Sequence, residues 1–133
     1  MKTIRIAAAI IRDETGRFLL VRKRGTTAFM QPGGKIDGAE EPSQCLVREL
    51  KEELGLEIVP DDACFAASMS APAAHEEDAR VDAELFHVTL DEAQRPLPAN
   101  EIEEIAWHDP DDRQRPLALL TRDIVARFGS ING

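Results

Sequence analysis

Glu49, Glu52 and Glu53 stand three and four positions apart in the run RELKEELGL. On a helix such residues are neighbours, and like charges at these spacings destabilise an isolated helix by about 0.2–0.5 kcal/mol per pair. A divalent cation would relieve that repulsion. Mg²⁺ and Mn²⁺ favour oxygen ligands, and Mg²⁺ is usually held by a few carboxylates together with water and a substrate phosphate. The chemistry this pattern suits is therefore metal-assisted reaction at phosphorus. The plainer account, a solvated acidic face, is the usual explanation of an E-x-x-E-E cluster taken alone. Arg48 is four residues before Glu52, the spacing of a helical ion pair.

These residues need a helix to hold them. Pro42 suits a first helical position, Ser43 to Leu54 contains no breaker, and Gly55 suits a left-handed C-terminal residue. Leu46, Val47, Leu50 and Leu54 form one stripe, and the glutamates fall on an adjoining face. The preceding TTAFMQPGGKIDG is rich in turn formers and reads as a loop. Residues 3–11 and the run FLLVRKR, separated by DETGR, predict a hairpin. Further strands are predicted at Leu56–Val59, about Cys64–Met69, Val81–Leu90 and Ile102–Trp107, with ASMSAPAAHEED and DEAQRPLPAN as loops. Leu117, Leu120, Ile124, Val125 and Phe128 recur at helical spacing before Gly129. The order predicts an α/β fold, a mixed sheet with helices on its two faces, forming a single domain over 1–133.

The chain of 133 residues is 43% hydrophobic, enough for a real core, and carries a net charge of −9. That acidity argues against broad affinity for nucleic acid or anionic membrane, so a phosphate compound would need a metal or a local basic patch. No apolar run approaches the length of a membrane span, and the N-terminus reads as a strand and not a signal peptide. Cys45 and Cys64 lack zinc or disulfide-scaffold spacing, which suggests reduced thiols in a cytoplasm. Arg22 and Arg24 alternate with Val21 and Lys23 and would share one face, a candidate phosphate clamp or ordinary surface charge. Phe29, Met30 and Trp107 could stack on a base, although core packing is the commoner role of such residues. His75, His87 and His108 have no triad-like or zinc-like spacing, and packing is expected of Cys45.

From Gly34 the chain gives Gly, five residues, Glu40, seven residues, Arg48-Glu49-Leu50, one residue, Glu52-Glu53, one residue, Gly55-Leu56. Every fixed position resembles the signature of the Nudix hydrolases, of the MutT-like kind. The resemblance implies a Nudix-type α/β/α sandwich and Mg²⁺, with Mn²⁺ as an alternative. It implies that Glu52 and Glu53 ligate metal and that Glu49 ligates metal or activates water, with Arg48 pairing to hold the carboxylates. Gly34 and Glu40 correspond to supports of the loop beside the substrate, Gly55 to the end of the helix, and the carbonyl of Gly33 to a metal contact. A further acid often comes from a distant strand or loop. Glu101, Glu103 and Glu104 are candidates, and Glu101 has an offset before Trp107 resembling one branch of the family.

The implied reaction cleaves a diphosphate linkage in a nucleoside diphosphate linked to X, giving a nucleoside monophosphate and phosphorylated X. Noncanonical nucleoside triphosphates lead. ADP-ribose or another sugar nucleotide is an alternative, hinted at by Pro72, while dinucleoside polyphosphates fit less well because the chain has no Tyr. A noncatalytic nucleotide-sensing regulator and an RNA 5′-end hydrolase are the readings from other classes. The partner expected is a small nucleotide, with no membrane and no nucleic acid, and a homodimer would resemble many relatives.

Overall fold

The computed structural model describes residues 1–73 and 76–129; His75, and with it part of the predicted loop 67–78, lies outside them. The elements are β1 (Lys2–Ile10), β2 (Phe18–Lys23), β3 (Gly33–Lys35), α1 (Pro42–Leu54), a 3₁₀ turn (Pro60–Asp62), β4 (Ala63–Pro72), β5 (Ala79–Val88), β6 (Ile102–His108) and α2 (Leu119–Phe128). A four-stranded mixed sheet runs β3-β1-β5-β4, with β1 and β5 parallel and the other pairs antiparallel. β2 and β6 form a second, antiparallel pair.

The two-residue side-chain period of β1 divides the interior between two helices. Ala7, Ala9 and Ile11 join a cluster with Cys45, Leu46, Leu50 and Leu54 of α1. Ala8 and Ile10 join another with Leu120, Ile124, Val125 and Phe128 of α2. β2 splits in the same way, Leu19 and Val21 going to the α1 side and Phe18 and Leu20 to the α2 side. Strands buried on both faces lose the polar alternation of a half-exposed sheet and read as continuous apolar runs. The α/β/α sandwich expected from the sequence is the fold observed.

Four local expectations change, the first being that residues 67–72 of the predicted loop continue β4 to Pro72. The predicted hairpin closes at its turn, where Asp13 N donates to Arg17 O (2.9 Å), but the strands then part into different sheets after the Arg12–Phe18 bridge and the Leu19 N to Ile11 O bond. Leu56–Val59 is not a strand. Leu56 N donates to Leu50 O, Glu57 N to the Gln94 side chain and Val59 N to the Asp62 side chain, so no neighbouring strand takes these amides. Within the predicted loop, Gly33–Lys35 pairs with β1 through Ala8↔Gly33, Ala7↔Gly34 and Ile6↔Lys35. A side chain at Gly33 would collide with the Ala7 carbonyl, so glycine allows this close pairing.

Leu50 is fully buried where α1 meets β1 and β3. Leu50→Ala is expected to lower unfolding stability by about 2–5 kcal/mol, read as a shifted urea midpoint at unchanged slope.

Candidate metal centre

Helix α1 has Pro42 in its first turn, and Glu41 N donates to the Gln44 side chain at its start. It ends at Gly55, whose φ of 67° is left-handed and whose N–H returns to Lys51 O. Burying Cys45, Leu46, Leu50 and Leu54 draws Glu49 and Glu53 to the edge of the packed face. Glu49 is 9% exposed and Glu53 only 1%. One oxygen of Glu53 accepts the Gly33 N–H at 3.1 Å, and the other is buried with no partner among the described residues. Burial pushes the Glu53 carboxyl up to about 8; the Gly33 bond opposes this and the Glu49 charge adds to it. Burial also raises Glu49, against the nearby Arg48.

The third carboxylate arrives from the other end of the chain. Leu97 N and Ala99 N donate to the carbonyls of Leu54 and Glu53, and the Asn100 side chain donates to Glu52 O at 2.7 Å. These bonds satisfy carbonyls left open at the end of α1. Asn100 takes a φ of 54°, a conformation Asn adopts more readily than most residues. Glu101 follows, its carbonyl bonded to Arg24 N. One carboxylate oxygen from each of Glu49, Glu53 and Glu101 then lies within 4.8 Å of the others.

Arg48 braces this group from outside. It forms two 3.0 Å bonds to Glu40, a 2.6 Å bond to Glu49 and a 3.2 Å bond to Lys35 O. Glu40 also accepts Asp37 N, and the Arg48 bonds hold its carboxyl down to about 2. Gly34 lies against Glu49 so closely that a Cβ would overlap the carboxylate. Cys45 directs its thiol at the carbonyls of Gly34 and Lys35, and burial pushes it up to about 11. It is a packing residue, as expected.

The predicted residues separate into two groups. Glu49, Glu53, Glu101, Arg48, Glu40, Gly33 and Gly34 come together. Glu52 lies outside the three-carboxylate cluster, its side chain 61% exposed and 3.9 Å from Arg48. Arg22 and Arg24 do not reach the carboxylates: Arg22 pairs with Glu104 at 3.0 Å and Arg24 with Glu103 at 3.4 Å. Besides Arg48, the basic side chain at the cluster is Lys23, 3.7 Å from Glu101. Phe29 is core, and Met30 and Trp107 pack partly buried against the α1 side.

The NUDIX domain model matches residues 2–128. The chain belongs to the Nudix family. It is 46% identical over 59 residues to an 8-oxo-dGTP diphosphatase of Haemophilus influenzae, a match covering 41% of this chain and 43% of that protein, under half of its length. To a CTP pyrophosphohydrolase of Escherichia coli it is 30% identical over 136 residues, covering 96% of this chain and 93% of the relative. The crystal structure of a MutT NUDIX hydrolase from Burkholderia pseudomallei superposes with a TM-score of 0.79 at 23% identity, over 95% and 98% of the two chains, and so shares the fold.

Two residues of this Nudix chain stand at the site beyond those expected from the sequence, Lys23 as a partner of the carboxylates and Asn100 as the anchor before Glu101. For Lys23 the signal was present: alternation along β2 sets it on the face opposite Arg22 and Arg24. For Asn100 none was visible, because a left-handed Asn capping a helix 48 positions away by hydrogen bond is a tertiary fact.

Because Arg48 depresses Glu40, the charged pair contributes stability that is complete above the ordinary value of 4.5 and is lost as pH falls toward about 2. Glu40→Gln is expected to have a lower thermal midpoint at neutral pH, with the gap to the parent closing across that acid window. A gap independent of pH would show that the charge of Glu40 is not what Arg48 uses.

Proposed function

We propose that this Nudix chain is a Mg²⁺-dependent hydrolase that cleaves a diphosphate linkage in a nucleoside diphosphate linked to X, releasing a nucleoside monophosphate and phosphorylated X. Nucleoside triphosphates, noncanonical ones included, are the leading substrates. The observation that carries the reading is the convergence of Glu49, Glu53 and Glu101, with a buried Glu53 oxygen lacking a partner. An all-carboxylate donor set suits a hard divalent cation, and the orphaned oxygen is an acceptor awaiting one. Two relatives described above carry names for nucleoside-triphosphate substrates, which supports that class here.

In this reading Glu49, Glu53 and Glu101 are ligands, with the exposed Glu52 at the margin of the same face. These carboxylates would hold a cation that would supply acidification of water and offset charge developing on the phosphate oxygens. Arg48 keeps Glu49 in place, and its pairing with Glu40 fixes the guanidinium. A carboxylate of the cluster accepts the proton of the attacking water. Lys23, at the side of Glu101, supplies positive charge for a phosphate oxygen. Gly34 leaves room for the Glu49 carboxylate, which a side chain there would overlap.

The test is turnover of a panel of nucleoside triphosphates and sugar nucleotides after exhaustive EDTA treatment, then with Mg²⁺ or Mn²⁺ restored. Activity should vanish and return, and Mg²⁺ should raise the thermal midpoint, since binding to the folded state alone stabilises it. Undiminished turnover without metal would overturn the mechanism.

Glu53→Gln keeps shape and removes charge. Its loss of activity should reach about 10²–10⁴-fold, the size typical of removing acid–base or ligand assistance. Glu101→Gln should lose less, because Glu101 is exposed and enters from the rim. Circular dichroism of both variants confirms folding, and a folded Glu53→Gln of near-normal turnover would show that the Glu53 charge is not what holds the cation.

A further inference from the structure

Beside the carboxylates a pocket of about 290 Å³ opens between β1 and the start of α2, reaching Lys23, Gly33 and Gly34 at one end. Its walls include Ile4, Ile6, Val81, Leu119 and Leu120. A larger cleft of about 560 Å³ lies between the 109–117 segment and α2 and is lined by none of the residues that touch the clustered carboxylates. The smaller pocket is therefore lined at one end by Lys23, Gly33 and Gly34, which touch Glu101, Glu53 and Glu49, and has apolar walls suited to an aromatic ring.

Gln31 is the buried polar side chain among the described lining residues, 8% exposed. Its amide oxygen accepts the hydroxyl of Thr121, which is fully buried in the first turn of α2. The amide nitrogen makes no hydrogen bond among the described residues. A buried amide whose oxygen already accepts one hydrogen bond keeps two unused N–H donors and at most one oxygen lone pair, so it acts chiefly as a donor. A polar group so placed discriminates strongly, because a ligand that cannot match it leaves the donor unpaired.

We propose that this pocket seats the nucleobase and that Gln31, oriented by Thr121, reads the base by donating to a carbonyl oxygen, so that the chain prefers guanine, cytosine or uracil nucleotides to adenine nucleotides. Guanine presents O6 beside N7, two adjacent acceptors, and the pyrimidines present carbonyl oxygens. Adenine has no carbonyl and offers N7 beside an amino donor, so it pairs fully with a glutamine only through the amide oxygen as well, which Thr121 already engages. The triphosphate chain then extends from the pocket mouth past Gly33 and Gly34 toward Glu49 and Glu53. Gln31 acts on binding and orientation of the base and takes no part in bond breaking.

The inference rests on the nucleotide-hydrolase reading, and its test separates the two. The kcat/KM for GTP, CTP, UTP and ATP is measured with Mg²⁺ for the parent, Gln31→Met, Gln31→Glu and Thr121→Val. Binding of GMP, CMP, UMP and AMP is titrated in EDTA. The parent should favour the best carbonyl-bearing base over ATP by about tenfold, one well-placed hydrogen bond. Gln31→Met, similar in volume but without donors, should remove that preference mainly through KM. Gln31→Glu offers acceptors only and should shift the ratio toward ATP, a reversal that a merely structural role would not produce. Thr121→Val should weaken the preference by releasing the amide, and it carries the test with Gln31→Glu if Gln31→Met fails to fold. A parent that favours ATP or shows no preference, or a preference unchanged in the folded variants, overturns the inference while leaving the hydrolase reading intact. Absence of hydrolysis of any nucleotide overturns the hydrolase reading, and the monophosphate titrations then decide the role of Gln31 alone.

Discussion

A carboxylate taken out of water must be protonated, paired or bound to a cation, and Glu53 has one backbone N–H for its two buried oxygens. The surrounding structure follows from that demand. Gly33 can offer its N–H because no side chain keeps it from pairing tightly with β1. Gly34 can pass over Glu49 for the same reason. Leucines on the neighbouring face of α1 fix the helix against β1, so the buried acid cannot swing outward. An uncompensated buried acid is a stability liability, and such liabilities concentrate at functional sites.

Charge is distributed so that the arginines serve structure and a lysine is left at the centre. Arg48 gathers Glu40, Glu49 and the Lys35 carbonyl into one rigid brace. A planar guanidinium with several donors can satisfy such a set at once, which an ammonium could not. Arg22 and Arg24 tie β2 to β6 through Glu104 and Glu103. A register shift between Arg22 and Lys23 accompanies this pairing, and Lys23 turns to the other side, toward Glu101.

Local features of the sequence were legible to the residue. Helix α1 starts at Pro42 and ends before Gly55 as its caps and apolar stripe require, and the packing roles of Leu46, Leu50 and Leu54 follow from spacing alone. The misread strand and loop have one origin, the competition of other partners, near and distant, for backbone groups. Leu56–Val59 looks like a strand by composition, yet the helix end and two side chains claim its amides. Gly33–Lys35 looks like a loop, yet β1 pairs with it because glycine permits the approach. Among Glu101, Glu103 and Glu104 the sequence offered only an offset. The backbone bonds of residues 97–100 to α1 and the pairing of Glu103 and Glu104 with arginines set the choice. Glu52, equal to its neighbours in the motif, stands apart because it falls on the exposed side of the helix.

The bonds from Leu97, Ala99 and Asn100 to the last carbonyls of α1 join segments more than forty positions apart, with β4 and β5 in the intervening chain. Closing that long loop carries an entropic cost that only the assembled sheet can offset. A chain emerging during synthesis therefore has its helix, and two of the clustered acids, well before the third can arrive. Cation-binding strength in such a molecule would mature in step with global folding rather than with helix formation. A partly folded form would hold divalent ions weakly, so the centre would be assembled only in chains that have completed their topology.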